Sequence, residues 1–257
     1  MSTLKISLLQ QPLVWMDGEA NLRHFDGVLS ASGQRDLIIL PETFTSGFAQ
    51  QFSNLLSEER IINWLHSHAA RTNALMAGSA AIQTGAGLVN RFLLVEPDGR
   101  VHYYDKRHLF RMGGEQKYFL PGKRREIIAW RGWRILPQIC YDLRFPVFSR
   151  NQNDYDLALY VANWPAQRSL HWKSLLMARA IENQAYVAGC NRIGTDNNQL
   201  VYSGDSQIID PMGEIVACTA PHKAACLNAI LSLNTVNNYR ESFPAWRDTD
   251  DFILKEE

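Results

Sequence analysis

Two short runs, Asp36–Leu40 (DLIIL) and Asp156–Ala162 (DLALYVA), are apolar at consecutive positions and not at alternate ones. A strand of that kind is buried on both faces, so its sheet needs a covering layer on each side. Around these runs, strand and helix patterns alternate. Leu4–Leu9 reads as a strand and Ala20–Leu29 as a helix, because Leu22, Phe25 and Leu29 recur at helical spacing. Ile61–Ala70 is helical and Ala74–Ile82 extended. Between Arg91 and Asp105 the runs FLLVEP and RVHYYD enclose Asp98-Gly99, a hairpin signal. Ile127–Trp130 and Trp133–Cys140 pair in the same way around Arg131-Gly132. Ser169–Gln184 is the longest helical pattern. Tyr186–Cys190, Ser206–Ile209, Ile215–Cys218 and Ala225–Leu231 read as strands, with a turn over Asp210–Gly213. Buried runs mixed with hairpins predict an α/β sandwich with mixed sheets, not a purely parallel doubly wound sheet. No repeat, low-complexity tract or Gly/Ser/Pro linker interrupts the pattern. The expectation is one domain over 1–257, with 237–257 as a C-terminal tail.

Composition excludes several function classes. With 46% hydrophobic and 20% charged residues, the 257-residue chain can bury a sizeable core. Lys plus Arg equals Asp plus Glu at 26 each. No basic field is present to hold a phosphate backbone or a membrane surface, so nucleic acid and membrane are not expected partners. Cys140, Cys190, Cys218 and Cys226 are too far apart for a CxxC zinc or redox motif. The start, MSTLKISLLQQPLVW, is interrupted by Lys5, Gln10 and Gln11 and reads as a strand, not a signal peptide. A cytoplasmic protein with reduced thiols is the expectation.

Chemistry gathers at strand ends. Cys140 lies in RILPQICYDLRFP, where an apolar run stops at the cysteine and turn-prone Tyr141-Asp142 follow. Pro146 suits the first turn of a helix. A strand that ends at a cysteine and turns sharply into a helix pushes the sulfur outward and aims the N–H groups of the turn at its target. That is the geometry of a nucleophile elbow. The competing reading is a core cysteine behaving as a small hydrophobe. Only His108 among the histidines neighbours other conspicuous residues, so no papain-like Cys–His pair stands out. Carboxylates are better placed. Glu42 follows DLIILP, just past the end of a buried strand, where α/β proteins set catalytic groups. Lys106 ends the strand VHYYD. Alone, Glu42 reads first as a loop acid and Lys106 as a surface lysine. Together with Cys140 they can supply a base, a cation for an oxyanion and a nucleophile.

The segments LPETFTSGF, YDKRHLF and ICYDLRFP resemble the signature of the nitrilase superfamily of carbon–nitrogen hydrolases, in its order and at about its spacings. The similarity continues through YVANWPAQRSLHW, LLMARAIENQAYVAGCNRIG, GDSQIIDPMGEIVA and FPAWR, and is strongest to the ω-amidase branch. The resemblance implies a four-layer α-β-β-α sandwich, a homodimer formed through helical faces, and a triad of Glu42, Lys106 and Cys140. It also implies a second glutamate, for which GGEQKYFLPG offers Glu115. No metal or organic cofactor is expected.

On that footing Glu42 takes the Cys140 proton, the thiolate attacks an amide carbon, and the Lys106 cation favours the thiolate by lowering the thiol pKa. Lys106 and the Tyr141 backbone N–H hold the oxyanion, and Glu115 orients the lysine or the amide nitrogen. The small-molecule substrate implied is the ω-amide of a 2-oxo dicarboxylic acid, whose free carboxylate suits a guanidinium grip by Arg144 or Arg168. Arg144 is equally a structural partner for Asp142. Trp164 and Phe44 are candidate pocket walls. His171, Glu182 and Asn183 are expected to pair locally, Cys190 to be core, and Cys218 and Cys226 to flank a loop. Deaminated glutathione and carbamoyl amines stay open as substrates, and a thiol sensor or scaffold as a non-enzymatic alternative.

Overall fold

The computed structural model describes residues 3–30, 33–49 and 54–254. Its first sheet is built from β1 (Thr3–Gln10), β2 (Leu37–Ile39), β3 (Leu75–Gln83), β4 (Leu88–Val95) and β5 (Val101–Asp105). The second holds β6 (Ile128–Trp130), β7 (Trp133–Ile139), β8 (Leu157–Ala162) and β9 (Tyr186–Asn191). A small hairpin of β10 (Ile193–Thr195) and β11 (Val201–Ser203) follows, then β12 (Gln207–Ile209), β13 (Ile215–Cys218) and β14 (Ala225–Ser232). The two large sheets run β14-β1-β2-β3-β4-β5 and β13-β12-β9-β8-β7-β6. Each is parallel at its centre, β1–β2–β3 and β7–β8–β9, and antiparallel outside, which makes both sheets mixed.

Side-chain alternation stacks the layers. Leu4, Ile6, Leu8, Leu37 and Ile39 from one sheet share a core with Ile135, Ile139, Leu157, Leu159 and Val161 from the other. The opposite face of the first sheet, with Ile38, Leu40 and Met76, packs on Leu22 and Phe25 of α1 (Gly18–Ser30) and on Ile61, Leu65 and Ala69 of α2 (Glu58–Thr72). Within DLIIL, Ile38 thus faces the helices while Leu37 and Ile39 face the other sheet. Beneath the second sheet, Trp172, Leu176 and Ala180 of α4 (Ser169–Asn183) meet Ala158, Tyr160 and Val187. The result is the α-β-β-α order that the resemblance implied.

Local chemistry sets the turns. Arg131 and Gly132 both adopt positive φ, +48° and +83°, the mirror-image turn that matches strand twist in a two-residue hairpin. Gly99, at φ +88°, turns β4 into β5, and its N–H donates to Glu96 O at 3.0 Å. The expected strand over Trp133–Cys140 stops one residue early, because Cys140 enters a tight 3-10 turn over Cys140–Arg144. Pro146 then opens the short helix α3 (Pro146–Ser149). The expected boundary at 237 falls inside a helix, α5 (Leu233–Ser242). Arg240 of that helix is buried and donates to Gln184 O, Tyr155 O and Asp156, which packs the segment onto the second sheet. Residues 255–257 of the expected tail lie outside the described residues. No helix among the described residues is long and apolar enough to cross a membrane.

Candidate active site

Glu42 follows β2 after Leu40 and Pro41. The backbone here turns on Thr43, at φ +43°, and is pinned where Thr43 N and Phe44 N donate to Ser79 at 2.9 Å each. The Glu42 carboxylate is wholly buried and accepts from four donors. Asn90 Nδ2 and Lys106 Nζ each reach Oε1 at 2.9 Å, and Asn163 N and Nδ2 reach Oε2 at 2.7 and 3.3 Å. Lys106 stands at the end of β5, its own N–H donating to Asn90 O at 2.9 Å. Its buried ammonium bridges Glu42 and Glu115, both at 2.9 Å, which occupies two of its three donors. Glu115 sits on a 3-10 turn over Glu115–Lys117, and its second oxygen accepts from Phe110 N at 2.6 Å.

Cys140 occupies a left-handed conformation at φ +44°, which a residue with a Cβ rarely adopts and which marks a tightly constrained turn. Tyr141 follows in the first turn of the 3-10 segment, where backbone N–H groups lack intrahelical acceptors. Burial and the Glu42 carboxylate push the Cys140 thiol well above its ordinary value, and the opposing pull of Lys106 does not offset them. Lys106 acts on the thiol in the expected direction, but burial and Glu42 outweigh it, so the surroundings as a whole favour the protonated sulfur. Burial alone would lower the Lys106 ammonium, but Glu115 and Glu42 outweigh it and raise the group well above a free lysine. Burial also raises the Glu115 carboxyl, with Lys106 drawing it back in part.

Glu42, Lys106 and Cys140 open onto one cavity of about 280 Å³, walled by Phe48, Phe110, Tyr141, Asn163, Trp164 and the two arginines Arg144 and Arg168. Glu115 reaches the cluster from behind the lysine. Three expectations fail here. Phe44 is not a wall: the left-handed turn at Thr43 sends its ring to the helix side, against Phe25 and Trp64, and Phe48 takes its place. Arg144 is not the partner of Asp142. Its guanidinium lies over the Trp164 ring at 4.8 Å and meets His171 Nδ1 at 3.0 Å, so His171 pairs with a residue far along the chain. Arg168 lies over Phe110 at 5.6 Å. Glu182 does pair locally, with Arg179, and Cys190 is core.

The sequence reading singled out neither Asn90 nor Asn163, and it weighed Asp142 only as a turn residue and a partner for Arg144. Asn90 was detectable as a lone polar residue in the apolar run LVNRFLLV. Asn163 was detectable as the residue just past β8, placed as Glu42 is past β2. Their partners could not be read, because each bond spans strands remote in sequence.

A sandwich of mixed sheets with a buried acid–ammonium–thiol cluster at its strand ends defines the class, and the family model for carbon–nitrogen hydrolases matches residues 5–241. The chain belongs to the carbon–nitrogen hydrolase family and is an enzyme of that kind. It is 63% identical over 255 residues to the omega-amidase YafV of Yersinia enterocolitica, covering 99% of this chain and 100% of that protein. To the 2-oxoglutaramate amidase of Bacillus subtilis it is 31% identical over 251 residues, 95% of this chain and 96% of the relative. Among solved structures it matches XC1258 of Xanthomonas campestris with a TM-score of 0.96 at 43% identity, covering 99% of this chain and 100% of that one. XC1258 is a CN-hydrolase superfamily protein with an arsenic adduct in its active site.

Proposed function

We propose that this hydrolase is an ω-amidase, releasing ammonia from the amide end of a 2-oxo dicarboxylic acid monoamide such as 2-oxoglutaramate. The observation that carries the reading is one cavity lined by both the thiol–acid–ammonium group and two guanidiniums, Arg144 and Arg168. A substrate with an amide at one end and a carboxylate at the other needs both, and the cavity volume suits a small acid. The names of the 63% and 31% identical relatives support the same substrate class. Arg144, braced by the Trp164 face and His171, is the better anchored of the two candidates for the carboxylate.

In this mechanism Glu42 removes the thiol proton as Sγ of Cys140 attacks the amide carbon. The third N–H of Lys106 and the Tyr141 N–H receive the developing oxyanion, donors of a kind whose loss costs roughly 3–4 kcal/mol each. Glu42 returns its proton to the nitrogen, the C–N bond breaks and ammonia leaves. A thioester remains. Glu42 then takes a proton from water, the hydroxide adds to the thioester carbon, the C–S bond breaks and the sulfur regains its proton. Glu115 holds Lys106 in place, and no cofactor enters any step.

The proposal extends to a homodimer in a reducing cytoplasm. Leu170 and Ile181 are exposed on the outer face of α4, and Cys218 and Cys226 are exposed thiols, a pattern suited to a compartment that keeps them reduced. The test is ammonia release from 2-oxoglutaramate, deaminated glutathione and carbamoyl amines, with Cys140→Ala as control. The first substrate should be preferred, and the variant should fold and turn over none of them. Turnover by the alanine variant would exclude the mechanism; a stronger response to another amide would exclude the substrate.

A further inference from the structure

We propose that Asp142 is a positioning residue that locks the strained Cys140 turn in register with the segment carrying Lys106. Asp142 lies two residues past the nucleophile and is wholly buried, yet its carboxylate reaches none of the groups that line the cavity. It accepts from four donors instead. Ile139 N and the Tyr104 hydroxyl reach Oδ2 at 2.9 and 2.8 Å. His108 N and His108 Nδ1 reach Oδ1 at 3.0 and 2.8 Å, the ring nitrogen donating because an ionised carboxylate only accepts.

These four bonds do two jobs at once. The bond from Ile139 closes the turn across Cys140, whose φ of +44° persists only where the surroundings over-determine it. The other three come from both sides of Lys106. Tyr104 precedes it on β5, and the Tyr104 oxygen in turn accepts from Arg107 N at 3.1 Å, while His108 follows. The sulfur belongs to a turn of the second sheet and the ammonium to an end of the first. Asp142 joins the backbone of the turn that carries the sulfur to the residues on either side of the one that carries the ammonium. The His108–Asp142 pair looks like two-thirds of a Cys–His–Asp triad, but the imidazole is stacked on Phe145 at 3.9 Å and is not among the side chains of the cavity wall. It acts as a strap, not as a base.

The inference rests on Cys140 being the nucleophile, which the Cys140→Ala assay decides on its own. Alkylation of Cys140 by iodoacetamide, mapped by peptide mass spectrometry, reads the turn independently of substrate, and the exposed Cys218 serves as internal control. Asparagine at 142 keeps the volume but turns an amide N–H₂ toward donors. Asp142→Asn should lower kcat about 100-fold with KM changed less than about threefold, the signature of a misplaced reacting group. The alkylation rate of Cys140 should shift about tenfold or more while Cys218 is unaffected. Tyr104→Phe and His108→Asn, which each cut one strap, should lower kcat by smaller factors in the same sense. A folded Asp142→Asn enzyme with kcat within about threefold of the parent, or with lost kcat and unaltered Cys140 alkylation, overturns the proposal. Should that variant fail to fold, unchanged kcat in both single-strap variants overturns it equally.

Discussion

Burial of Cys140, reinforced by the Glu42 carboxylate, raises the cost of a thiolate by more than the Lys106 ammonium offsets. The sulfur therefore needs its proton removed at the moment of attack, and the two roles of Glu42 can be separated by experiment. As a charge, Glu42 holds the thiol pKa up, so Glu42→Gln would lower it and speed alkylation of Cys140 at neutral pH. As a base, Glu42 is what makes the sulfur reactive, so the same change would slow it. We predict slowing of about 100-fold or more, the lower end of what a general base typically contributes. Acceleration would mean a nucleophile set by field alone. Lys106 gives a second prediction at this scale. Lys106→Met leaves Glu42 and Glu115 buried without their shared cation, costing about 3–5 kcal/mol at neutral pH. The Glu115 carboxyl is already raised by burial with Lys106 present, and loses the cation that draws it down. A carboxyl raised in the folded state binds its proton more tightly there than in the unfolded chain. Its destabilisation is thus absent at low pH and grows as pH rises through the folded value. Thermal unfolding should show the Lys106→Met deficit shrinking on acidification from pH 8 to about 5; a deficit independent of pH would show that the two carboxylates are not its source.

Elements carry the site by where they end and by how closely they pack. Gly189 on β9 illustrates the second condition. A Cβ there would sit 2.4 Å from Leu176 Cδ1 and 2.8 Å from Trp172, both on α4, so the helix lies directly on the glycine. Gly189→Val should destabilise by about 1–3 kcal/mol or more through overpacking, read as a lower midpoint in urea with the slope preserved. An unchanged midpoint would mean that α4 moves freely off the sheet. Strand ends were largely legible in the sequence, since DLIIL, VHYYD and the run into Cys140 each lead within two residues to a side chain of conspicuous chemistry. Paired turn residues such as Asp98-Gly99 and Arg131-Gly132 marked hairpins because positive φ limits which residues can stand there. The hairpin β10–β11 was missed: its strands are three residues each, too short for alternation to register. Phe44 was misplaced for a different reason. Past the end of a strand, the side a residue faces is decided by the turn, and the left-handed Thr43 reverses it. The direction of the Cys140 shift was also illegible, because it follows from burial produced by the whole fold.

At the scale of the molecule, the acid and the ammonium come from one sheet and the thiol from the other, so the layer between the sheets fixes the reacting distances. Asn163, the residue just past β8 of the second sheet, reaches across to the Glu42 carboxylate and ties the two halves at the site. Packing between the sheets should therefore bear on the reacting distances more directly than packing of α2 does. Leu159 of β8 and Leu65 of α2 are both wholly buried, the first between the sheets and the second beneath a helix. Truncating either to alanine should cost about 2–5 kcal/mol of stability. Only Leu159→Ala should also lower kcat, by about tenfold at a temperature where both variants are fully folded, because small shifts between sheets displace the base from the thiol. Leu65→Ala should hold kcat within about twofold of the parent under the same conditions. Circular dichroism fixes the folded fraction and ammonia release gives kcat. Equal losses of kcat in the two variants would show that the site senses stability as a whole, and not the spacing between the sheets that supply it.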